Sequence, residues 1–190
     1  MRDDLDRIVN GGQFPPGWSV RPDRGTPQQL QFSQAADLFH FVVGPAGTFY
    51  NPEWTKSGDY KYSARMTQLK APSHETSYGI TFGGSNLDQP NQSYSYFMVR
   101  QNGEYYIANK DGASRPKSVV DWTKHPAIVK QSDSGREVNT LGIEVHGANV
   151  VFTVNGMEVT HLAKDRVHTD GLIGFRIGHN LDIDADQVSR

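Results

Sequence analysis

The fold class follows from the stretch YSYFMVRQNGEYYIAN, residues 94–109. Two runs rich in aromatic and β-branched residues flank Asn102-Gly103, and an Asn-Gly pair supplies the positive φ that a tight hairpin needs. Apolar residues alternate with others along both runs, a pattern that indicates strands with one buried face. The stretch therefore predicts an antiparallel β-hairpin.

Turn residues divide the rest of the chain into similar short segments. Gly147-Ala148 and Asn155-Gly156 separate three alternating runs, which predicts a three-stranded meander. Two last strands are predicted around Gly178-His179-Asn180. Together with Tyr60 to Met66 and Tyr78 to Phe82, the spacing predicts about ten or more strands, which is typical of an all-β, two-sheet antiparallel sandwich.

Three long segments lack this alternation and are predicted to be loops, a class of segment that often carries function. They are Gly44 to Gly58, Gly84 to Ser93 and Lys110 to Arg136. Near the start, Leu5, Ile8 and Val9 share one helical face and predict a short helix over Arg2 to Val9. We therefore expect an N-terminal extension over residues 1–17 and a single sandwich domain over 18–190.

Composition excludes several classes of function. The 190 residues carry a net charge of -2, so a polybasic nucleic-acid binder is not expected. With 19 Gly, 10 Pro and 11% aromatic residues, the chain has the turns and rings of an all-β domain rather than a helical bundle. The absence of Cys excludes disulfides, Cys-ligated metals and thiol nucleophiles.

Membrane insertion and cofactor chemistry have no support in the sequence. No segment approaches the roughly 20 apolar residues of a membrane span. Location stays open: secreted or periplasmic if a signal peptide has been removed, cytoplasmic otherwise. The phosphate-binding and dinucleotide glycine motifs are absent, and the seven His show no ligand spacing, so no cofactor and no metal are predicted.

Alternation also predicts a ligand-binding face. If Phe97 and Val99 point into the core, their neighbours point outward, and so does Arg176 between Phe175 and Ile177. Sugars present apolar C–H faces, which pack against aromatic rings, and hydroxyl groups at their rims, which form hydrogen bonds with cationic and carboxylate side chains. The predicted ligand-binding residues are Tyr94, Tyr96, Arg100, Glu104, Tyr106 and Arg176. Alternatively, these tyrosines are good strand formers, or loops cover them as a second small core.

Several segments in the second half of the chain follow one another in a recognisable order. They are Tyr96-Phe97-Met98-Val99-Arg100, Gly103-Glu104-Tyr105, Trp122, Asn139-x-Leu141, Val151-Phe152-Thr153-Val154-Asn155-Gly156 and Gly171-x-x-Gly174. In this order they resemble the concanavalin A-like lectin/glucanase superfamily, and within it bacterial laminin G-like and 3-keto-disaccharide hydrolase-like domains. The resemblance covers about residues 18 to 188 and implies a jelly-roll sandwich.

The resemblance implies carbohydrate binding or glycoside cleavage on the concave sheet or its rim, with a saccharide as partner. Laminarinase-type members carry a Glu-x-Asp-x-(x)-Glu strand, but none of the six Glu here has an Asp two residues later. The nearest substitute is Asp182-x-Asp184-x-Asp186, which places three carboxylates on one strand face. Two of these carboxylates form a catalytic pair, or all three belong to an ordinary solvated surface.

Two functions from different classes therefore stay open. The first is a carbohydrate-binding or carbohydrate-associated domain with no identifiable catalytic motif. The second is a glycan-active hydrolase whose acid and base come from separate strands, with Glu104, Glu144 and His146 as candidates. The distance between two carboxyl groups across a cleft distinguishes them.

Overall fold

The computed structural model describes residues 6–190, and its regular structure is almost entirely β-strand. The helices among these residues are two short 3-10 turns, Pro27–Gln29 and Lys164–Arg166, and neither could cross a membrane. The strands are β1 (Ser19–Pro22), β2 (Leu30–Ala35), β3 (Leu38–Val43), β4 (Gly47–Lys56), β5 (Tyr60–Gln68), β6 (Ser77–Ser85), β7 (Ser93–Arg100), β8 (Glu104–Asp111), β9 (Lys117–Lys124), β10 (Glu137–His146), β11 (Asn149–Val154), β12 (Met157–Ala163), β13 (Gly171–Ile177) and β14 (Asp182–Ser189).

The strands form two seven-stranded antiparallel sheets. The first sheet has the order β1-β4-β13-β6-β7-β8-β9, and the second has the order β12-β11-β10-β5-β14-β3-β2. Neighbouring strands pair antiparallel throughout both sheets. The predicted all-β, two-sheet jelly-roll sandwich is therefore confirmed.

The main core lies between the two sheets and is dominated by aromatic rings. Phe41 of β3 meets Phe49 and Phe175 of the first sheet, with ring centroids 4.7 and 5.3 Å apart. Tilted ring pairs of this kind add about 0.5–1.5 kcal/mol each beyond the area they bury. The buried hydroxyl of Tyr62 donates to the carbonyl oxygen of Gly174 at 2.7 Å, so its polar tip is satisfied across the sandwich.

One carboxyl group is buried at the edge of this core. Glu137, at the start of β10, accepts a hydrogen bond of 2.7 Å from the hydroxyl of Tyr78. Asn139 donates to the same hydroxyl at 3.2 Å. The second carboxyl oxygen of Glu137 has no partner among the described residues, and burial raises the pKa of this side chain.

The predicted turns are confirmed. β7 and β8 form a hairpin in which Arg100 pairs with Glu104, and Gly103 adopts a φ of 85°. Asn155 and Gly156 have φ values of 53° and 81°, the pair of positive angles that a type I′ turn requires. β10, β11 and β12 lie side by side, as the predicted meander demands.

Two of the segments predicted to be loops contain strands instead. Gly44 to Gly58 includes β4, whose first half is buried on both faces, so it lacks the alternation of a strand with one wet face. Lys110 to Arg136 includes β9, an edge strand of the first sheet with mostly exposed polar side chains. Neither environment produces the period-2 pattern on which the prediction relied.

The last two strands are present as predicted, but they belong to different sheets. β13 lies between β4 and β6 in the first sheet, and β14 lies between β5 and β3 in the second. The turn at Gly178 to Asn180 therefore carries the chain across the sandwich. Gly178 donates its amide to the carbonyl oxygen of Ser77 at 2.7 Å, which anchors the crossing.

The predicted N-terminal helix is absent from Asp6 to Val9, and residues 2–5 of that prediction lie outside the described residues. The side chain of Arg7 donates to the carbonyl oxygens of Val43 and Leu181, each at 2.9 Å. Contacts with β3 and with the start of β14 thus hold this segment in an irregular conformation. The boundary at residue 17 stays a prediction.

Candidate functional site

The outer face of the first sheet, directed away from the main core, carries a second aromatic cluster. Tyr94, Tyr96, Tyr106 and Trp122 follow one another across β7, β8 and β9, with successive ring centroids 5.9, 6.1 and 4.9 Å apart. We call these four residues the aromatic row. Leu87, from the loop before β7, packs against the same cluster.

The predicted orientation of this face is correct, but its predicted exposure is wrong for two tyrosines. Phe97 and Val99 belong to the main core, and Tyr94 and Tyr96 point the other way. Tyr94 is only 3% exposed and Tyr96 only 4%, because neighbouring side chains and Leu87 cover them. The alternative of a second small core therefore describes these two residues, whereas Tyr106 is half-buried.

Arg176 lies at the centre of the outer face and is held by Asp23. Its two terminal nitrogens donate to the two oxygens of Asp23 at 2.7 and 2.5 Å, and one of them also donates to the hydroxyl of Thr48 at 3.1 Å. The guanidinium lies 5.7 Å from the centroid of the Tyr96 ring. Arg176 is only 9% exposed, and its Nε has no partner among the described residues.

This ion pair keeps both groups charged. Burial of Asp23 opposes ionisation, but attraction and hydrogen bonds from Arg176 outweigh it and lower the pKa of Asp23. Burial of Arg176 likewise opposes its charge, and Asp23 more than compensates, so the pKa of Arg176 is raised. At neutral pH the centre of the face therefore holds a fixed carboxylate and a fixed guanidinium.

A second charged group is built around Arg100 at the end of β7. It donates to one oxygen of Glu104 at 3.1 and 2.7 Å, and its third nitrogen lies 2.9 Å from Glu75. Its guanidinium carbon lies 4.0 Å from the centroid of the Trp122 ring. Hydrogen bonds from Arg100 and Asn102 lower the pKa of Glu104, so this carboxylate stays ionised.

Two cavities lie side by side on the outer face and share Asp23 and Arg176 in their walls. The first has a volume of about 430 Å³, and the second about 240 Å³. The first is within the usual size range of small-molecule sites, roughly 300–1,000 Å³. The first is lined by Asp23, Ala46, His74, Glu75, Thr76, Ser77, Met98, Arg100, Trp122, Arg176, Gly178 and His179, and the second by Arg21, Pro22, Asp23, Thr48, Gln92, Tyr94, Lys110, Pro116 and Arg176.

Solved structures with the same architecture include a carbohydrate-binding module and a GH16 protein. The carbohydrate-binding module CBM66 from Bacillus subtilis matches with a TM-score of 0.63 and 15% identity, over 95% of this chain and 97% of that chain. A GH16 protein of Bacteroides ovatus, solved with a mixed-linkage glucan product, matches with a TM-score of 0.60 and 9% identity, over 90% of this chain and 94% of that chain. A Bacillus subtilis protein of unknown function with a galectin-like fold matches with a TM-score of 0.56 and 12% identity, over 91% and 90%.

The chain has the concanavalin A-like jelly-roll fold. No family model and no curated protein matches its sequence. At these identities the likeness establishes the fold and not the activity.

The concanavalin A-like sandwich separates the predicted acid and base. Glu104 lies on the outer face of the first sheet. Glu144 points outward from the second sheet, because its neighbours Ile143 and Val145 point into the core. Glu144 is 3.7 Å from Lys61, and the exposed His146 is 3.4 Å from Asp59. The predicted set of Glu104, Glu144 and His146 is therefore not assembled into one site.

The three aspartates of β14 are held by basic side chains on the outward side of the second sheet. Each is paired with at least one basic side chain, so these carboxyl groups do not form a pair poised across a cleft. The pairs are Asp182 with Arg7 and Lys70, Asp184 with His40, and Asp186 with Arg65. The solvated-face interpretation of this motif is the one that the structure supports.

A Ser-His-Asp cluster also occurs, but it lacks the geometry of a nucleophile relay. The hydroxyl of Ser93 and a carboxyl oxygen of Asp111 both approach Nε2 of His168, at 3.2 and 3.0 Å. A relay needs the acid on one ring nitrogen and the hydroxyl on the other. Ser93 donates to Asp111 directly at 2.8 Å, so the three groups form a local hydrogen-bond cluster.

Several residues of the candidate site were not predicted from the sequence. Asp23, His74, Glu75 and His179 all lie in connecting segments, where no periodicity marks their direction. The sequence held one clue to these residues. Arg176 is predicted on β13, and a buried cation needs a carboxylate partner. The sequence does not say which carboxylate, because Asp23 is 153 residues away along the chain.

Proposed function

We propose that the chain binds a saccharide in the outer-face groove, the name used here for the two adjoining cavities that share Asp23 and Arg176. The observation that carries the proposal is the Asp23–Arg176 pair, a largely buried guanidinium held by a partly exposed carboxylate, at the junction of these cavities. It places a fixed donor and a fixed acceptor where a ligand reaches both. A carbohydrate-binding module and a glycan-active protein with the same fold support this choice.

Sugar hydroxyls suit the charged groups of the first cavity. Neighbouring hydroxyls on a ring present donors and acceptors together, which a guanidinium and a carboxylate match through charge-assisted hydrogen bonds. Arg100 and Arg176 supply donors, and Asp23 and Glu75 supply acceptors. Trp122 adds an apolar wall for the C–H face of the ring.

In this proposal some of the predicted ligand-binding residues touch the sugar, and the others hold those residues in place. Arg100 and Arg176 touch the sugar, and Glu104 positions Arg100 through two hydrogen bonds. Tyr106 lies nearly parallel to the Trp122 ring and so holds it in place. The covered Tyr94 and Tyr96 form the floor beneath Arg176 rather than a stacking platform.

A glycan-active hydrolase is the second candidate, because Asp23 and Glu75 line the same cavity. Both carboxylates are ion-paired, to Arg176 and Arg100 respectively. A general acid needs a pKa raised toward neutrality, whereas the pKa of Asp23 is lowered. Binding is therefore the better supported function. We further propose that the chain is related to laminin G-like and 3-keto-disaccharide hydrolase-like domains.

The test is a glycan array followed by calorimetric titration of each hit against the full chain and two variants. Glu75→Gln removes one acceptor from the first cavity and should weaken binding about tenfold, near the lower end of the range for hydrogen bonds to charged groups. The matched control is Glu144→Gln, which removes the same charge from an exposed ion pair on the opposite sheet. Its affinity should equal that of the parent.

Two results would contradict the proposal. The first is an array on which no glycan binds, and the second is equal affinity for the Glu75→Gln variant and the parent. Product analysis of every bound glycan distinguishes the hydrolase. New reducing ends that disappear in an Asp23→Asn variant would favour catalysis over binding.

A further inference from the structure

The second cavity of the outer-face groove carries an excess of positive charge. Its wall contains the cations Arg21, Lys110 and Arg176 and a single carboxylate, Asp23. Arg21 follows the core residue Val20 on β1 and therefore points to the outer face. Lys110 lies two residues after Ala108 of the outer cluster and points the same way. The cavity is thus a cationic pocket with one acid at its edge.

Two of these cations have only uncharged partners. Arg21 donates to the carbonyl oxygens of Leu87 and Gln89 at 2.9 and 2.6 Å, and Lys110 donates to the carbonyl oxygen of Ser114. Neither makes an ion pair with a carboxylate of residues 6–190. Carbonyl oxygens satisfy the geometry of an N–H group but do not cancel its charge. Two of the three cations at this end of the groove therefore have no ion-pair partner among residues 6–190, and Asp23 is the one carboxylate in the wall.

The third cation, Arg176, has spare hydrogen-bonding capacity. It is more than nine-tenths buried, and its Nε is buried without an acceptor among the described residues. Buried donors nearly always have a partner in folded proteins. Arg176 is therefore one acceptor short, in the wall of the second cavity.

The first cavity, unlike the second, has no excess of positive charge. Arg100 is paired with both Glu75 and Glu104, so acids match its cations. The groove therefore has a polarity, from hydroxyl-matching groups at the Glu75 end to cations at the Lys110 end. A neutral saccharide would leave the cationic end unpaired.

From this polarity we infer that the outer-face groove takes an acidic glycan, whose anionic substituent binds in the second cavity between Lys110 and Arg21. The inference rests on the proposed saccharide binding and adds the ligand class. A carboxylate of a uronic acid and a sulfate ester supply the same chemistry, an anion that accepts charge-assisted hydrogen bonds. The neutral part of the ligand then occupies the first cavity.

The test titrates the full chain with three sets of oligosaccharides of matched length: neutral glucans, polyuronates and sulfated galactans. At low ionic strength we expect an acidic set to bind at least about tenfold more tightly than the neutral set, the gain of one charge-assisted hydrogen bond. That advantage should shrink as salt rises from about 0.01 M to about 1 M, because the Debye length falls from about 30 to about 3 Å. The carboxylated and sulfated sets identify the source of the anion.

Lys110→Gln is the decisive variant. It removes one cation from a partly exposed strand position, so the fold should be unaffected, and the acidic set should bind about three- to tenfold more weakly. Binding of the neutral set should not change. Lys61→Gln, the same substitution on the outer face of the second sheet, is the matched control and should change neither affinity. Arg21 is a poorer choice, since it also holds the loop at Leu87 and Gln89.

The outcomes separate this inference from the proposal on which it rests. If neutral and acidic sets bind equally, or Lys110→Gln leaves acidic binding unchanged, the ligand class is wrong while saccharide binding stands. If no oligosaccharide of any set binds, saccharide binding fails and the acidic-glycan inference fails with it. Only salt-sensitive acidic binding that depends on Lys110 and not on Lys61 supports it.

Discussion

The Asp23–Arg176 pair should respond very differently to the loss of one partner or the other. Arg176 is 9% exposed, whereas the side chain of Asp23 is 43% exposed. Asp23→Asn leaves a largely buried cation without its counter-ion. Arg176→Met leaves an acid that water can solvate again and replaces the guanidinium side chain with a shorter, apolar one. The first change should therefore destabilise the fold more than the second.

The expected sizes follow from the contacts of each group. Leaving a buried charge without its partner costs about 3–5 kcal/mol, and Asn still accepts one hydrogen bond, so we expect about 3 kcal/mol for Asp23→Asn. Arg176→Met loses the ion pair and a cation–π contact worth about 0.5–1 kcal/mol. It also removes the unpartnered Nε, a defect that itself costs about 1–3 kcal/mol. These effects partly cancel, and the net loss should be about 0–1.5 kcal/mol.

Urea unfolding at pH 7 measures both values by linear extrapolation. For a chain of this length about 1 kcal/mol corresponds to about 2–4 °C in Tm, so Asp23→Asn should lower Tm by about 6–12 °C. Glu144→Gln, in an exposed pair with Lys61, is the control and should leave the transition unchanged. An Arg176→Met variant as destabilised as Asp23→Asn would show that the burial asymmetry does not govern this pair.

Two further predictions concern the second cluster and the buried acid. Tyr96→Ala should cost about 3–5 kcal/mol of stability, because it empties a covered aromatic site. Tyr106→Ala should cost less, because Tyr106 is only half-buried. Equal losses of stability in urea unfolding would contradict this difference in burial. Because the pKa of Glu137 is raised, at pH values just above the ordinary Glu pKa of 4.5 the folded state holds a proton that the unfolded chain has released. The contribution of Glu137 to stability therefore falls as pH rises above that pKa. The stability of Glu137→Gln relative to the parent should therefore increase between pH 4 and pH 7, and a constant difference in urea unfolding would refute this sign.

The elements predicted best from the sequence are those whose signal is local. Positive φ angles occur at Gly103 in the first turn and at Asn155 and Gly156 in the second, all residue types that favour them, so both hairpins could be placed without tertiary information. Arg176 could be assigned to the outer face because Phe175 and Ile177 are apolar on either side of it. Such alternation depends only on the strand's own residues.

What the sequence could not supply depends on contacts between distant segments. Tyr94 and Tyr96 look like exposed strand residues until Leu87 and the neighbouring strands cover them. β4 has apolar contacts on both faces, so its pattern does not distinguish it from an irregular segment. Asp23 becomes the partner of Arg176 only because the fold brings the segment after β1 close to the end of β13, across β4.

The position of the last two strands has a consequence for how the chain folds during synthesis. β13 is inserted between β4 and β6, and β14 between β5 and β3, so each sheet has a gap in its interior until these strands arrive. A nascent chain that ends before residue 171 exposes four interior strand edges and the aromatic surface beneath them, and unpaired edges favour association between chains. Because these pairings join strands far apart in sequence, the sandwich should close late and slowly, after segment 171–189 has left the ribosome.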